Sequence, residues 1–526
     1  MRISQRQMFS QYLTQMNGSL SAIMDSNNQG GTQKKVNRPS DDPAGMARIM
    51  MYRESLGNIE RNKANINEAT GWLNLADHGL MQVSDVISKI KTLNLQSATE
   101  TMTDDNRDQN ATQLRGYFGE LLNIANEKYN GQHIFAGHKV DAPAYTEGLA
   151  VTSHKYESPA NSGTYVDLNE SVNFVVKGGA AGSTLIQFTD GGNLQTAKPD
   201  FIYSNDGGKT WQQGEWLAPS PSDLPGSAGV MKAGGVTIEP VLKDPNALWA
   251  SVPDVEATAA TFTPPVGATQ EGSGGTWFTV RPTAIYMGDD HDTQTTQQYG
   301  TSIPDLKADG YFTRDISVRV NNIGSEIEYA YSLDNGSTWV KATAPLGSKQ
   351  LAVPGGYLST DAGAYSAGQE FLIHPRRADI NFEISSNQTI TVNNVGKDIF
   401  GGMYQEPFTD YAATLDGTNL FDTVGRLIGY CETNDSDGIA RCLEELDDCL
   451  KLITTKLADV GGRENRLQVA FETATIRELS EDNARSGIED VDTITLMTKL
   501  AQQQLAYNTV LKSSSMIMQM SLMNFI

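Results

Sequence analysis

The sequence predicts an α+β protein: a long coiled-coil helical rod formed by its N- and C-terminal segments, with β-rich domains inserted between them. Three observations carry this. Apolar residues recur at steps of three and four over both ends of the chain, short alternating runs rich in Gly, Thr, Ser and Pro fill about 140–410, and acid concentrates in that middle. Residues 141–410 hold 31 acidic and 15 basic side chains, whereas residues 1–50 hold 3 and 6, within a chain of net charge -23. An acidic middle keeps a protein dispersed by self-repulsion and leaves its less charged ends free to pack together.

Residues 1–42 read as a helix and loop, with Phe9, Tyr12, Met16, Leu20 and Ile23 on one face. The loop ends in Asp42-Pro43, an N-cap followed by a proline at the first helical position. From there Ile49, Tyr52, Leu56, Ile59, Ile66, Leu73, Leu80, Val83, Ile87 and Ile90 form a seam interrupted by Lys63, Thr70 and Asp77. A helix from about 43 to 98 is roughly 80 Å long, which is rod-like. A third helix is expected over 104–130, ending at Asn130-Gly131, and completes a helical segment 43–140.

The middle divides into β-rich domains at 141–275 and 276–416. Val172–Val176 and Ile316–Val320 alternate as strands do. Ser204-Asn-Asp-Gly-Gly-Lys-Thr-Trp211 and Ser332-Leu-Asp-Asn-Gly-Ser-Thr-Trp339 both fit S-x-D-x-G-x-T-W, and Phe278–Pro282 is echoed by Phe371–Pro375. Two copies of one domain are therefore expected, the first about 35 residues longer. Helix returns at 417–488, with one segment running from Phe421 through Leu479. The terminal helix, 489–526, places Leu496, Leu500, Tyr507, Leu511, Met518, Leu522 and Phe525 on a broad stripe.

Several function classes are disfavoured. The negative charge opposes nucleic-acid binding, and no run approaches the 18 apolar residues of a membrane span, so a soluble chain without a membrane partner is expected. The first ten residues lack an apolar signal core, so a cleavable signal peptide and export by the general route are disfavoured. Cys442 and Cys449 fall in a helical stripe with Ile439, Leu446, Ile453 and Val460, and read with Cys431 as small core residues rather than metal ligands. Gly288-Asp-Asp-His-Asp292 lacks calcium-loop spacing and reads as a solvated turn. The S-x-D-x-G-x-T-W pattern resembles the Asp-box of sialidases, in which Asp and Gly shape a hairpin turn. Two boxes and five scattered arginines do not make a hydrolase site. No catalytic residue, cofactor or metal is predicted, and no enzyme.

Asn37-Arg-Pro-Ser-Asp-Asp-Pro-Ala-Gly-Met-Ala47 resembles the signature loop of the flagellin superfamily, and Gly71–Leu80 resembles the segment that follows it there. Tyr129–Gly137, Val392–Gly401, Val460–Leu467 and Met520–Ile526 are similar to its hook-filament junction branch. The resemblance implies a structural subunit of the bacterial flagellum, exported by the flagellar type III apparatus with a chaperone. It also implies assembly by bundling of its terminal helices. Its partners would be its own copies in a ring, the other hook-associated protein at the hook end and flagellin at the filament end, outside the cell. The implied assembly residues are Phe9, Tyr12, Met16, Leu20, Asn37, Arg38, Pro39, Asp42, Leu500, Tyr507, Leu511, Met518, Leu522 and Phe525. The alternatives are a flagellin filament subunit and a glycan-binding surface protein carried by the β-domains.

Overall fold

The computed structural model describes residues 5–99, 101–154, 156–157, 165–179, 182–217, 227–243, 248–255, 276–288, 295–299, 303, 306–310, 312, 315–334, 336–360, 365–374, 378–386, 388–405, 411–415 and 417–523. The helices are α1 (Gln5–Thr32), α2 (Pro43–Ser97), α3 (Asp104–Ala125), the single turn α4 (Lys397–Phe400), α5 (Leu420–Glu432), α6 (Ser436–Glu489) and α7 (Thr493–Met523). The chain divides into two compact units: 1–68 with 383–389 and 465–526, and 69–382 with 390–464.

In the second unit, α2 buries Leu73, Leu80, Val83, Ile87 and Ile90, and α6 buries Ile439, Cys442, Leu446, Cys449, Ile453 and Val460. These seven-residue recurrences are seams facing other helices. All three thiols are free and buried, and burial pushes the Cys431 and Cys449 thiols up to about 12. Such thiols behave as hydrophobes, not nucleophiles.

Two helical expectations are corrected. The third helix stops at Ala125, and Asn130-Gly131 instead turns a hairpin between Lys128–Tyr129 and Gln132–His133. Both turn residues have positive φ, 50° and 85°, as a two-residue hairpin turn requires to match strand twist. The expected continuous helix from Phe421 breaks at Thr433–Asp435, where Asn434 has φ 58°. The break is held from α3: the buried Arg107 donates to the Asn434 side chain, which in turn donates to Asp104 at 2.8 Å. Asp435 then caps α6 by accepting from the Gly438 amide at 2.9 Å.

The first β-domain uses β1 (Tyr145–Ser153), β2 (Val172–Gly178), β3 (Thr184–Phe188), β4 (Phe201–Ser204), β5 (Gln212–Gln213), β6 (Val230–Ala233), β7 (Val236–Leu242) and β8 (Trp277–Tyr286). The expected boundary at 275/276 falls just ahead of β8, whose partners are β1 and β3, so the first sheet runs on past that boundary. Met403–Tyr404 also joins β8. Only the pairing across the sheet, invisible to local composition, assigns these strands. The second domain uses β9 (Thr295–Tyr299), β10 (Leu306–Gly310), β11 (Ile316–Ile323), β12 (Glu326–Ser332), β13 (Val340–Pro345), β14 (Gln350–Val353), β15 (Gly356–Thr360) and β16 (Glu370–His374).

The antiparallel pairings β1–β8, β2–β7, β3–β4, β3–β8, β4–β5 and β6–β7 recur as β9–β16, β10–β15, β11–β12, β11–β16, β12–β13 and β14–β15. The register matches as well. Phe278, Ile186 and Tyr203 form one cross-strand row, and Phe371, Val318 and Tyr331 form the other. Each domain closes over its own core, one around Phe174, Phe188, Phe201 and Phe278, the other around Val318, Leu351, Leu358 and Phe371.

Each S-x-D-x-G-x-T-W segment is a turn with the same internal bonds. Asp206 Oδ1 accepts from Ser204 Oγ and the Thr210 amide at 2.7 and 2.8 Å; Asp334 Oδ1 accepts from Ser332 Oγ and the Thr338 amide at 2.8 and 2.8 Å. Burial alone would raise Asp206, but bonds from Thr210 and Ser204 outweigh it and hold the carboxyl at about 2. Thr338 does the same for Asp334, also about 2.

Candidate assembly interface

In the first unit α1 packs against α7. Ser26 Oγ donates to Gln503 Oε1 at 2.8 Å, and the bare face of Gly30 lies against Leu496. The loops beyond these helices are stitched together: the Lys35 amide donates to the Glu489 carbonyl at 2.7 Å, and the Val491 amide to the Gln33 carbonyl at 3.1 Å. The buried Glu489 carboxylate sits at this crossing and takes Lys34 and Arg53, the latter at 2.5 Å. Burial would raise its pKa, but the bonds from Lys34 and Arg53 win and lower it. Further along, Lys63 bonds Glu478 at 2.7 Å and lies over the Phe471 ring, so this polar interruption of the seam is satisfied by α6.

The loop before α2 is built by its acids. Asp41 Oδ2 accepts from the Asn37 and Arg38 amides at 3.0 and 2.8 Å. Asp42 Oδ1 accepts from the Gly45 amide at 2.9 Å, the N-cap expected from the sequence. A side chain at Gly45 would meet Asp42 at 2.3 Å, so cap and glycine go together.

The implied assembly residues are distributed as follows. Tyr12, Met16, Asn37, Leu500 and Tyr507 are half-buried, whereas Leu20, Arg38, Pro39, Asp42 and Leu511 are exposed. Phe9, Met518 and Leu522 lie within α1 or α7, with side chains outside the described residues, and Phe525 lies wholly outside them, as do residues 289–292 of the expected solvated turn. The structure adds residues that the terminal stripes did not include. Leu13, Met24, Met50, Met51, Val469, Ile476, Leu479, Ile494, Met497, Leu505 and Met516 are also exposed. Among the described residues, 13 of the 21 exposed large hydrophobic side chains lie in the first unit. Such a concentration of exposed apolar side chains is what an interaction face offers. The α6 members were readable: Val460, Leu467 and Ala474 form its buried stripe, and Val469 and Ile476 repeat the same step on a second face.

Other clusters are internally matched. A crevice of about 450 Å³ in the second unit is lined in part by Arg281, Asp422, Arg426 and Glu445. Arg281 Nη2 donates to Asp422 at 2.6 Å, Arg426 Nη1 donates to Glu445 at 2.9 Å, and Arg426 lies 2.9 Å from Asp422. These charges fasten β8 to α5 and α6. Among the described residues no group of three His, Cys, Asp or Glu is placed to hold a metal, and no helix is long and apolar enough to cross a membrane.

Comparison with known proteins matches residues 3–140 to the family described as the bacterial flagellin N-terminal helical region. Flagellar hook-associated protein 3 of Salmonella typhimurium is 30% identical over 148 residues, 28% of this chain and 47% of that protein. The chain thus matches about half the length of this curated relative. Flagellin B of Helicobacter pylori is 30% identical over 104 residues, 20% of each protein. The solved hook-associated protein-3 of Legionella pneumophila is 14% identical, covers 84% of this chain and 98% of its own, and superposes with a TM-score of 0.30, too loose an overlap to equate residues. The matched region contains α1, the Asn37–Asp42 loop, α2 and α3, and with them Leu13, Leu20, Met24, Met50 and Met51 of the exposed apolar side chains described above.

Proposed function

We propose that this protein is a structural, non-enzymatic subunit of the bacterial flagellum, a junction protein joining hook to filament. It is exported by the flagellar type III apparatus with a chaperone and assembled outside the cell by bundling of its terminal helices. The observation that carries this reading is the exposed apolar surface of α1, α6 and α7 next to a flagellin N-terminal helical region. Burying such surface is worth roughly 25 cal/mol per Å², repeated around a closed ring. The partners are its own copies, the other hook-associated protein on the hook side and flagellin on the filament side. The β-domains, read as two copies of one unit with the same six pairings, are carried as an acidic insertion and take no part in the bundling. The Tyr129–Gly137 segment, similar to the junction branch, favours a junction over a filament subunit.

Deleting the gene tests this. Cells should lose filaments and shed unpolymerised flagellin, and immunogold against the protein should mark one spot at the base of each filament. Label along the whole filament would make the chain a flagellin, and normal filaments in the deletion strain would end the proposal.

A further inference from the structure

We propose that the first Asp-box turn, 204–211, is a second anchor, beside the Arg281–Asp422 pair of β8, that fixes the first β-domain on the junction of α5 and α6, with Gly207 and Glu432 as its positioning residues. The turn does not need this contact to form, since the second turn makes the same Ser–Asp–Thr bonds. What differs is the face turned to the helices. Gly207 has φ 70°, and a Cβ there would stand 2.5 Å from the Glu432 carbonyl oxygen at the end of α5. A left-handed turn position accepts Asn as well as Gly, and the second box carries Asn335 at the corresponding place. Whatever the turn itself accepts, the helix contact leaves no room for a side chain at 207.

Glu432 completes the seat. Its carboxylate takes Arg115 of α3 through two bonds, 2.6 and 2.9 Å, and accepts the Ser183 amide at 2.6 Å. One half-buried acid thus ties α3, α5 and the start of β3 together. Lys209, which is Ser337 in the second box, reaches Asp108 of α3 at 3.4 Å. The positions through which the first turn touches helices, 207 and 209, are positions at which the two boxes differ.

The internal copy supplies the control. Hydrogen exchange is followed in the full-length chain carrying Gly207→Asn, Asn335→Gly or Glu432→Gln. Gly207→Asn should speed exchange at 182–184 and 429–435 by roughly tenfold or more while leaving β8 unchanged, the pattern of local opening rather than unfolding. Asn335→Gly should leave both regions as they are. If Gly207→Asn does not fold, Glu432→Gln decides, and should loosen the same two segments. No change at 182–184 and 429–435 overturns the anchor. Equal acceleration throughout β8 overturns it too, because the turn would then be an ordinary part of the sheet.

Discussion

Replacing Ile494 and Leu505 together by Gln should abolish incorporation into flagella without unfolding the protein. The two residues lie 11 positions apart on α7, three helical turns, and so share a face. They are 80% and 69% exposed, so together they offer about one and a half side chains' worth of apolar surface to a partner. At about 1.5–3 kcal/mol for each fully buried aliphatic side chain, their loss costs roughly 2–4 kcal/mol per contact. At 1.4 kcal/mol per decade, that is about 30- to 1000-fold in association. Gln matches Leu in helix propensity, and neither side chain touches the core, so thermal unfolding of the monomer should shift little. The assay is complementation of the deletion strain, scoring filaments by electron microscopy beside a melting curve of the purified variant. Wild-type filament numbers from a correctly folded double variant would refute the claim that this face is buried on assembly.

Asp422→Ala should cost about 3–5 kcal/mol of stability by chemical denaturation, because it strands the buried Arg281, whose side chain is only 4% exposed, without its carboxylate; a loss under 1 kcal/mol would show that solvent reaches the pair. His154, stacked on Trp277, is held well below its ordinary pKa by burial and then by Arg441. The unfolded chain therefore binds the extra proton first, and stability should fall as pH drops below about 6.5. His154→Gln should flatten that slope in melting curves between pH 7 and 5. The three buried thiols should resist a thiol reagent in the native protein and all react once it is denatured; labelling of Cys442 under native conditions would contradict the packing of α6.

Much of the helical half was legible. The α6 stripe from Ile439 to Val460 and the Asp42-Pro43 start depend on neighbours within a turn or two, so local pattern suffices. The α5–α6 break was not, because it is imposed by Arg107 and Asp104, more than three hundred positions away. Asn130-Gly131 reads as a helix stop from its neighbours alone, and only the pairing of Lys128 with His133 selects the hairpin. In the β region the repeated turn was visible, but a strand of the first sheet lies beyond a boundary drawn on composition. At the assembly surface, the terminal stripes follow from apolar period alone, whereas Val469 and Ile476 share α6 with a buried stripe that already accounts for its periodicity.

The second β-domain leaves the first at Met287 and returns near Asp379, and the same short segment meets both points: Lys139 donates to the Met287 carbonyl at 3.5 Å, and the His138 ring lies 3.4 Å from the Asp379 carbonyl. A stalk closed at its base is indifferent to what it bears. Two exits held beside one segment make this point a natural socket for displaying a foreign domain.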